Sequence, residues 1–177
     1  MTKTVTRLHE RPRGRVDVEL DGAPWRTLPA DAVVRAELLV GRTLDRATAR
    51  TLARELRKTD ALTRAARALR HRDLSRRALA ERLPAPAREA ALETLERSGY
   101  LDDGRTAARR AASLGGRGWG DEAIRYRLEQ EGFDGEVLEA ALAGLEPEWK
   151  RAEAFRARGR SERWLAGRGF GGVAPDP

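Results

Sequence analysis

Arginine supplies almost all of the cationic side chains in this chain, since Lys3, Lys58 and Lys150 are the only lysines among 35 lysines and arginines. The densest cluster lies between residues 64 and 82, where seven arginines stand against the acids Asp73 and Glu81. Guanidinium groups bind phosphates and carboxylates through paired hydrogen bonds, so the cluster predicts a surface for DNA phosphates or for acidic patches on a protein. A solvated helix face in an arginine-rich chain is the alternative interpretation. The candidate partner-binding residues are Arg67, Arg70, Arg72, Arg76 and Arg77, together with Trp119.

A glycine-rich segment, Gly115–Gly120, has some features of a phosphate-binding loop. A P-loop ends in Gly-Lys-Ser/Thr, which neutralises phosphate and holds magnesium, and a dinucleotide-binding loop follows a strand. Here Asp121 follows the last glycine, so the Lys-Ser/Thr of a P-loop is missing. A predicted helix, not a strand, precedes the segment, so the dinucleotide-binding pattern is not met either. We therefore predict a flexible turn between two helices, in which Trp119 is the tryptophan best placed to contact a partner. Trp149 and Trp164, by contrast, sit at the spacing of a helix core.

Carboxylates, imidazoles and thiols do not form a catalytic or metal-binding set. Asp102 and Asp103 are adjacent at a predicted helix start, where carboxylates accept hydrogen bonds from free backbone amides, so we interpret them as caps. His9 and His71 are the only histidines, and the chain has no cysteine. Neither a Ser/His/Asp set nor a glycosidase-type carboxylate pair assembles beside a nucleophile. The sequence predicts a protein without enzyme activity, metal or cofactor.

The overall composition also favours an anionic partner. The 177 residues carry a formal net charge of +7 and a pI of about 10.8, although an arginine-rich composition alone can produce these values. Hydrophobic residues make 40%, charged residues 36%, and the mean hydropathy is −0.65, which predicts a large exposed area and an elongated shape. No apolar stretch suits a signal peptide or reaches the roughly 20 residues of a membrane span, so a cytoplasmic protein is expected.

The N-terminal region predicts a small sheet. Arg15–Leu20 alternates polar and apolar residues, and Asp21-Gly22 after it is a strong signal for a type I′ hairpin turn. A second strand follows to Leu28, and Val5–Leu8 is a weaker third strand. Because so small a sheet is not stable alone, we expect it to pack on the segment that follows.

From Pro29 onward the hydrophobic period becomes 3.6, which predicts helices. A short helix is expected to end at Gly41, and a second helix follows Thr43-Leu44-Asp45 and gives way to the next unit near Asp60. The residues expected to face inward on these two helices are Val33, Val34, Leu38, Leu39, Ala49, Leu52, Ala53 and Leu56.

Three later helices end on one pattern, in which a leucine is followed four residues on by glycine and then by an aromatic residue. These segments are Leu95–Tyr100, Leu128–Phe133 and Leu165–Phe170. Such self-similarity predicts one helical unit used several times, each copy burying the apolar face of its neighbour. The third copy is expected to be truncated, because few residues follow Phe170.

Several segments, spread over nearly the whole chain, share their residues with one known family. They are Arg70–Ser75 with Leu79 and Leu83 downstream, Leu95–Asp103, the glycine loop before Ile124, Leu128–Phe133 and the hairpin residues Val18–Gly22. In these segments the chain resembles the RecX regulatory proteins, bacterial modulators of the RecA recombinase. The stretch Gly99-Tyr100-Leu101-Asp102-Asp103 is the most specific single motif.

The resemblance implies a mainly α-helical fold, with a small N-terminal β-hairpin followed by tandem three-helix repeats in an elongated, curved arrangement. The expected domains are the hairpin and two helices in 1–58, repeat 1 in 59–100, repeat 2 in 101–146, and a truncated repeat 3 with a flexible tail in 147–177. The implied partner is the RecA filament on DNA, bound by a monomer with weak direct DNA contact and no membrane association. The implied effect is inhibition of ATP hydrolysis and strand exchange, in homologous recombination, DNA repair and the SOS response.

Two alternatives from other classes stay open. A stand-alone DNA-binding protein, with three-helix units acting like helix-turn-helix modules, would bind naked DNA tightly and lose that binding on charge reversal at Arg72, Arg76 and Arg77. A helical scaffold for another protein would bind neither DNA nor the filament. The acids of the later helices argue against a stand-alone DNA-binding protein, because they would repel a duplex. These acids are Glu89, Glu93, Glu96, Glu129, Glu131, Glu136 and Glu139.

Overall fold

The computed structural model describes residues 2–171. They form a mainly helical fold with a small N-terminal sheet, which confirms this part of the predicted fold class. The chain forms two compact units, one of residues 2–67 with 83–94 and the other of residues 68–82 with 95–171. The expected flexible tail, from Gly172 onward, lies outside the described residues.

The sheet of the first unit has four antiparallel strands in the order β3-β2-β1-β4. The strands are β1 (Lys3–Arg11), β2 (Arg15–Leu20), β3 (Ala23–Pro29) and β4 (Thr43–Leu44). Asp21 and Gly22 both have positive φ, 51° and 80°, which confirms the predicted type I′ turn. The strand expected at Val5–Leu8 exists and is longer than predicted, whereas β4 has two residues and too little pattern to be predicted at all.

Helix α1 (Ala30–Arg35) packs its inner face on this sheet. It ends at Arg35 instead of Gly41, because the chain turns at Glu37, where φ is 50°, and returns Leu38 to the core. The core of the unit consists of Val5, Val16, Val18, Leu20, Leu28, Ala32, Val33, Ala36, Leu38 and Leu52. Four residues were wrongly expected to face inward and are exposed: Val34 within α1, Leu39 after the turn, and Ala49 and Ala53 on the next helix.

Helix α2 (Arg46–Leu69) runs for 24 residues without a break, where the sequence analysis expected a boundary near Asp60. No glycine or proline interrupts this stretch. Asp60 instead stabilises the helix, since its carboxylate accepts from Arg64 Nε, one turn later, at 2.8 Å. Asp45 caps the N-terminus, its Oδ1 accepting from the Thr48 amide at 2.7 Å.

The capping carboxylate of Asp45 predicts a pH-dependent contribution to stability. Hydrogen bonds from the backbone and side chain of Thr48 lower the pKa of Asp45. A lowered folded-state pKa means stability that is present above the unfolded-state pKa, about 3.9, and is lost as the pH falls through the folded value. The urea midpoint of Asp45→Asn should therefore lie below that of the parent at pH 7, and the two should converge as the pH falls through the lowered folded-state pKa of Asp45. A constant offset over that range would contradict the assignment.

After α2, the described chain forms only helices and the turns between them. Their bounds are α3 (Arg76–Ala80), the 3₁₀ turn Ala85–Ala87 with α4 (Arg88–Arg97), α5 (Asp103–Gly116), α6 (Asp121–Gln130), α7 (Gly135–Ala143), α8 (Glu148–Ala157) and α9 (Glu162–Ala166). Of these, the 3₁₀ turn and most of α4 belong to the first unit. Helices α5, α6 and α7 enclose one core, formed by Ala107, Ala111, Leu114, Ile124, Leu128, Phe133, Leu138, Ala141 and Leu142. A smaller core contains Ala152, Leu165 and Phe170.

The three predicted glycine–aromatic closures have one geometry. Gly99, Gly132 and Gly169 have φ of 72°, 88° and 73°, a conformation that favours glycine after a helix end. In each closure the amide of the aromatic residue donates to the carbonyl of the leucine five residues earlier, at 2.9, 3.1 and 3.3 Å. Phe133 and Phe170 are buried, whereas Tyr100 is 74% exposed.

Helix α8 presents a different face to the core from the one predicted. Trp149, expected inward, is 49% exposed, while Arg151 and Ala152 are buried. Arg151 is accommodated because its guanidinium donates to the carbonyls of Glu146 and Trp119, both at 2.9 Å, and to the Asp121 carboxylate. Hydrophobic spacing predicts that Trp149 faces the core, and it gives no indication of the carbonyl and carboxylate acceptors that allow Arg151 to be buried instead.

Candidate functional site

A groove of about 770 Å³ lies in the second unit, where the start of α3 meets α5 and the end of α6. It is lined by Arg72, Asp73, Leu74, Ser75, Ala78, Glu81, Arg82, Thr106, Arg109, Arg110, Ser113, Gln130, Glu131 and Phe133. Four of these residues are arginines, so the groove contains part of the predicted cationic cluster together with arginines from a distant helix.

Capping hydrogen bonds fix the start of α3 at the wall of this groove. Ser75 is buried, and its hydroxyl accepts from the Ala78 amide at 3.2 Å and donates to the Glu131 carbonyl at 2.6 Å. The same side chain therefore caps α3 and ties it to the end of α6.

The two aspartates interpreted as caps both accept from helix-start amides. Asp102 caps α5 through the Arg105 amide at 2.8 Å, whereas Asp103 reaches α3 and accepts from the Arg76 amide at 2.8 Å. Burial raises the pKa of Asp103, with repulsion from Asp134 adding to it, although the Arg76 amide opposes the shift. The capping interpretation is confirmed, with one of the two caps serving another helix.

The charges of the groove are only partly balanced. Arg109 forms an ion pair with Asp73, and Arg110 pairs with Glu131, its Nε lying 2.9 Å from one carboxylate oxygen. Among residues 2–171, Arg72 and Arg82 form no ion pair, and neither does Glu81, so the lining carries four arginines against three acids. Two guanidinium groups are thus available to an anionic ligand, and phosphate or carboxylate oxygens would suit their paired donors.

Of the six predicted partner-binding residues, Arg72 lines the groove. Arg76 Nε donates to Glu96 at 2.8 Å, and Arg77 Nη2 donates to the Glu129 carbonyl at 3.3 Å while its side chain lies against Gly132. Arg76 and Arg77 therefore hold the start of α3 in place and keep less hydrogen-bonding capacity for a partner.

The remaining predicted residues lie elsewhere in the chain. Arg67 is exposed in the last turn of α2, within the first unit, and Arg70 is exposed just beyond that helix. Trp119 is half-buried in the α5–α6 turn, with the guanidiniums of Arg127 and Arg168 against its ring.

Sequence reasoning missed Arg109 and Arg110 and did not single out Arg82 as a site residue. Arg82 belonged to the recognised cluster, but Arg109 and Arg110 lie on α5, far from that cluster in the sequence. Only the packing of α3 against α5 brings them to the groove. The adjacent pair of arginines was the one available signal.

Other kinds of site find no support in the described part of the chain. No group of three or more histidine, cysteine, aspartate or glutamate side chains is arranged to hold a metal ion within residues 2–171. In the same residues, no helix is both long and apolar enough to cross a membrane. The side chains that line the groove include no nucleophile paired with a general base.

Comparison with known proteins gives one consistent result. The chain is 31% identical over 115 residues to regulatory protein RecX of Xanthomonas oryzae pv. oryzae (strain MAFF 311018), covering 57% of this chain and 72% of that protein. It is 37% identical over 103 residues to regulatory protein RecX of Escherichia coli O7:K1, covering 50% and 62%. A crystal structure of a regulatory protein RecX matches with a TM-score of 0.79 at 20% identity, over 96% of this chain and 95% of that one, a likeness of fold. No protein-family model matches the chain.

Proposed function

The chain belongs to the RecX family of regulatory proteins, and from this premise we propose that it binds the nucleoprotein filament of the RecA recombinase and inhibits its ATP hydrolysis and strand exchange. Because its relatives are named regulatory proteins, no catalytic step is proposed for the chain itself. The proposed place of action is the cytoplasm, on RecA assembled on DNA, with the chain acting as a monomer.

The observation that carries the proposal is the pair of guanidiniums without an ion-pair partner among residues 2–171, Arg72 and Arg82, in the lining of this groove. We propose that acidic side chains of the recombinase enter this groove. A carboxylate that accepts paired hydrogen bonds from an arginine fork gains more than one that meets a single neutral donor. Arg109 and Arg110 are neutralised by Asp73 and Glu131, so the attraction for an entering acid comes from Arg72 and Arg82.

We also propose that the later helices are tandem units, as expected from the sequence. Two docking contacts support this. Ser75, before α3, donates to the Glu131 carbonyl at the end of α6, and the amide of Gly120, before α6, donates to the Arg168 carbonyl at the end of α9 at 2.9 Å. Each helix start is thus met by the glycine–aromatic closure of a later helix.

Repeated units suit a filament, because a ligand that touches neighbouring protomers gains avidity from contacts that are weak one by one. Such a ligand would also couple the motions of those protomers. We propose that this coupling restrains the rearrangement that ATP turnover requires, so that inhibition needs no occupation of the nucleotide site.

The test is RecA ATPase activity on single-stranded DNA, titrated with the chain. The parent should inhibit, and Arg72→Glu/Arg82→Glu should need at least about tenfold more protein, since hydrogen bonds to charged groups contribute about 1.5–3 kcal/mol each. Arg50→Glu/Arg57→Glu on α2, two exposed arginines, makes the same change in net charge and should leave inhibition unchanged. No inhibition at saturating protein, or equal loss in both variants, would overturn the proposal.

A pull-down separates the proposal from its rival. The chain should be retained strongly by RecA assembled on single-stranded DNA with ATP, and weakly by free RecA or by bare DNA. A stand-alone DNA-binding protein would be retained equally by bare duplex DNA and lost as salt is raised. A scaffold for another protein would be retained by none of the three.

A further inference from the structure

The three glycine–aromatic closures share a backbone geometry but place their aromatic side chains differently. Phe133 belongs to the core enclosed by α5, α6 and α7, and Phe170 belongs to the smaller core with Leu165. Tyr100, at the same position of the first closure, is 74% exposed. Its hydroxyl forms no hydrogen bond within residues 2–171. The first closure therefore presents an aromatic side chain to solvent where the other two bury theirs.

The turn that presents Tyr100 is held in place by hydrogen bonds. The amides of Tyr100 and Leu101 both donate to the Leu95 carbonyl, at 2.9 and 3.2 Å. The Gly99 carbonyl accepts from Arg105 Nη2 at 2.8 Å. Leu101 is buried, so the residue after Tyr100 fixes the turn to the interior. A tyrosine on a fixed backbone has few torsions left to order, and its entropic cost of binding is small for the area that it buries.

The charged side chains that flank this turn are engaged within the chain. Glu96 accepts from Arg76 Nε at 2.8 Å, and Arg105 Nη1 lies 3.8 Å from Asp102 Oδ2. Arg97 likewise has a partner. With both flanking arginines engaged, the turn offers a ligand an aromatic ring and a free hydroxyl. These groups favour a pocket on a protein over a phosphate backbone, which needs free cations.

The turn is continuous with the groove of the second unit. It leads directly into α5, whose residues Thr106 and Arg109 line the groove. The Asp103 carboxylate, at the start of α5, accepts from the Arg76 amide next to the groove residue Ser75. Only about one helical turn separates Asp103 from Thr106. The exposed ring and the groove therefore fit within one protein–protein interface, which covers about 800 Å² on each partner.

We propose that Tyr100 is an aromatic anchor for the protein whose acids enter the groove, with its ring in an apolar pocket and its hydroxyl donating to an acceptor there. This inference rests on the proposed function. Tyrosine is enriched among the residues that contribute most to protein–protein binding, because it buries a large area and keeps a polar end. The anchor supplies affinity that salt does not weaken, whereas Arg72 and Arg82 supply affinity that salt screens.

Chemical protection tests the contact directly, because Tyr100 and Tyr126 are the only tyrosines in the chain and both are exposed. Tetranitromethane is applied to the chain alone, to the chain with RecA assembled on single-stranded DNA with ATP, and to the chain with the DNA alone. Mass spectrometry of the peptides measures nitration of each tyrosine. The filament should slow nitration of Tyr100 at least about fivefold, as burial in an interface requires, and leave Tyr126 on α6 unchanged. Equal nitration of Tyr100 with and without the filament, equal protection of Tyr126, or protection of Tyr100 by the DNA alone would overturn the proposal.

Substitution at the same position measures the energetic effect. Tyr100→Ala should need at least about tenfold more protein to inhibit RecA ATPase activity, and Tyr100→Phe, which keeps the ring, about threefold more. The loss in Tyr100→Ala should be the same at about 50 and about 300 mM salt, whereas the loss in Arg72→Glu/Arg82→Glu should shrink as salt rises. Tyr126→Ala is the matched control and should inhibit like the parent. Because the Tyr100 side chain is exposed, the urea midpoint of Tyr100→Ala should equal that of the parent.

The outcomes separate this inference from the proposed function. If the parent inhibits and Arg72→Glu/Arg82→Glu does not, but Tyr100→Ala inhibits like the parent, the anchor alone is wrong. Equal loss in Tyr126→Ala would also overturn the anchor. No inhibition by the parent at saturating protein would overturn the proposed function, and the anchor with it. Should Tyr100→Ala fail to fold, Tyr100→Phe and the nitration of the parent chain decide the matter.

Discussion

Replacing Gly120 by alanine is expected to lower the free energy of unfolding by about 3 kcal/mol. The φ of Gly120 is −77°, which any residue adopts, so the requirement for glycine is steric. A Cβ atom at this position would overlap the backbone of Gly169 and Phe170. Backbone atoms cannot rotate away as a flexible side chain can, and the hydrogen bond from the Gly120 amide to the Arg168 carbonyl would be forced apart. Urea unfolding followed by circular dichroism measures the change.

Gly116→Ala is the matched control, because it makes the same substitution four residues earlier. Gly116 ends α5, and a Cβ atom there would meet nothing within 4 Å. Alanine has a higher helix propensity, so this variant should be more stable than the parent, by up to about 1 kcal/mol. If both substitutions destabilise equally, the close approach of the two backbones at Gly120 is not what requires glycine.

The elements of the fold that have a strong local signal could be predicted from sequence. The hairpin turn at Asp21-Gly22 and the glycine–aromatic closures depend on residues next to one another, and both have the expected geometry. Elements that are short, or whose ends depend on contacts distant in the sequence, have no local pattern from which they could be predicted. Strand β4 has two residues, and α1 ends early because Leu38 is drawn back to the sheet, a contact that no local pattern specifies.

The candidate groove could be predicted only in part, for a similar reason. The cluster around Arg72 was visible because charge density is a local property. The contribution of Arg109 and Arg110 depends on the docking of α3 against α5, and the loss of Arg77 to the Glu129 carbonyl depends on the docking of α3 against α6. Likewise, the arginines that stack on Trp119 include Arg168, which is distant in the sequence and reaches the ring only through the fold.

Replacing the buried Arg151 is also expected to lower the free energy of unfolding strongly. Its side chain is 8% exposed and binds the Asp121 carboxylate and the carbonyls of Glu146 and Trp119. Arg151→Met should lower the free energy of unfolding by about 3 kcal/mol, at the lower end for a broken buried pair, because Asp121 is 35% exposed and regains some water. Arg151→Lys should fall between parent and methionine variant, since one ammonium cannot serve three acceptors in fixed directions. Denaturant unfolding of the three proteins measures this order.

A double-mutant cycle isolates the ion pair from the carbonyl contacts. Asp121→Asn combined with Arg151→Met should destabilise by less than the sum of the single changes, because neither charge is then left without its partner. Arg125→Met, which breaks the exposed pair with Glu139 on the neighbouring helix, should leave stability unchanged and serves as the control. Additive single changes would mean that Arg151 stabilises the unit through the two carbonyls alone.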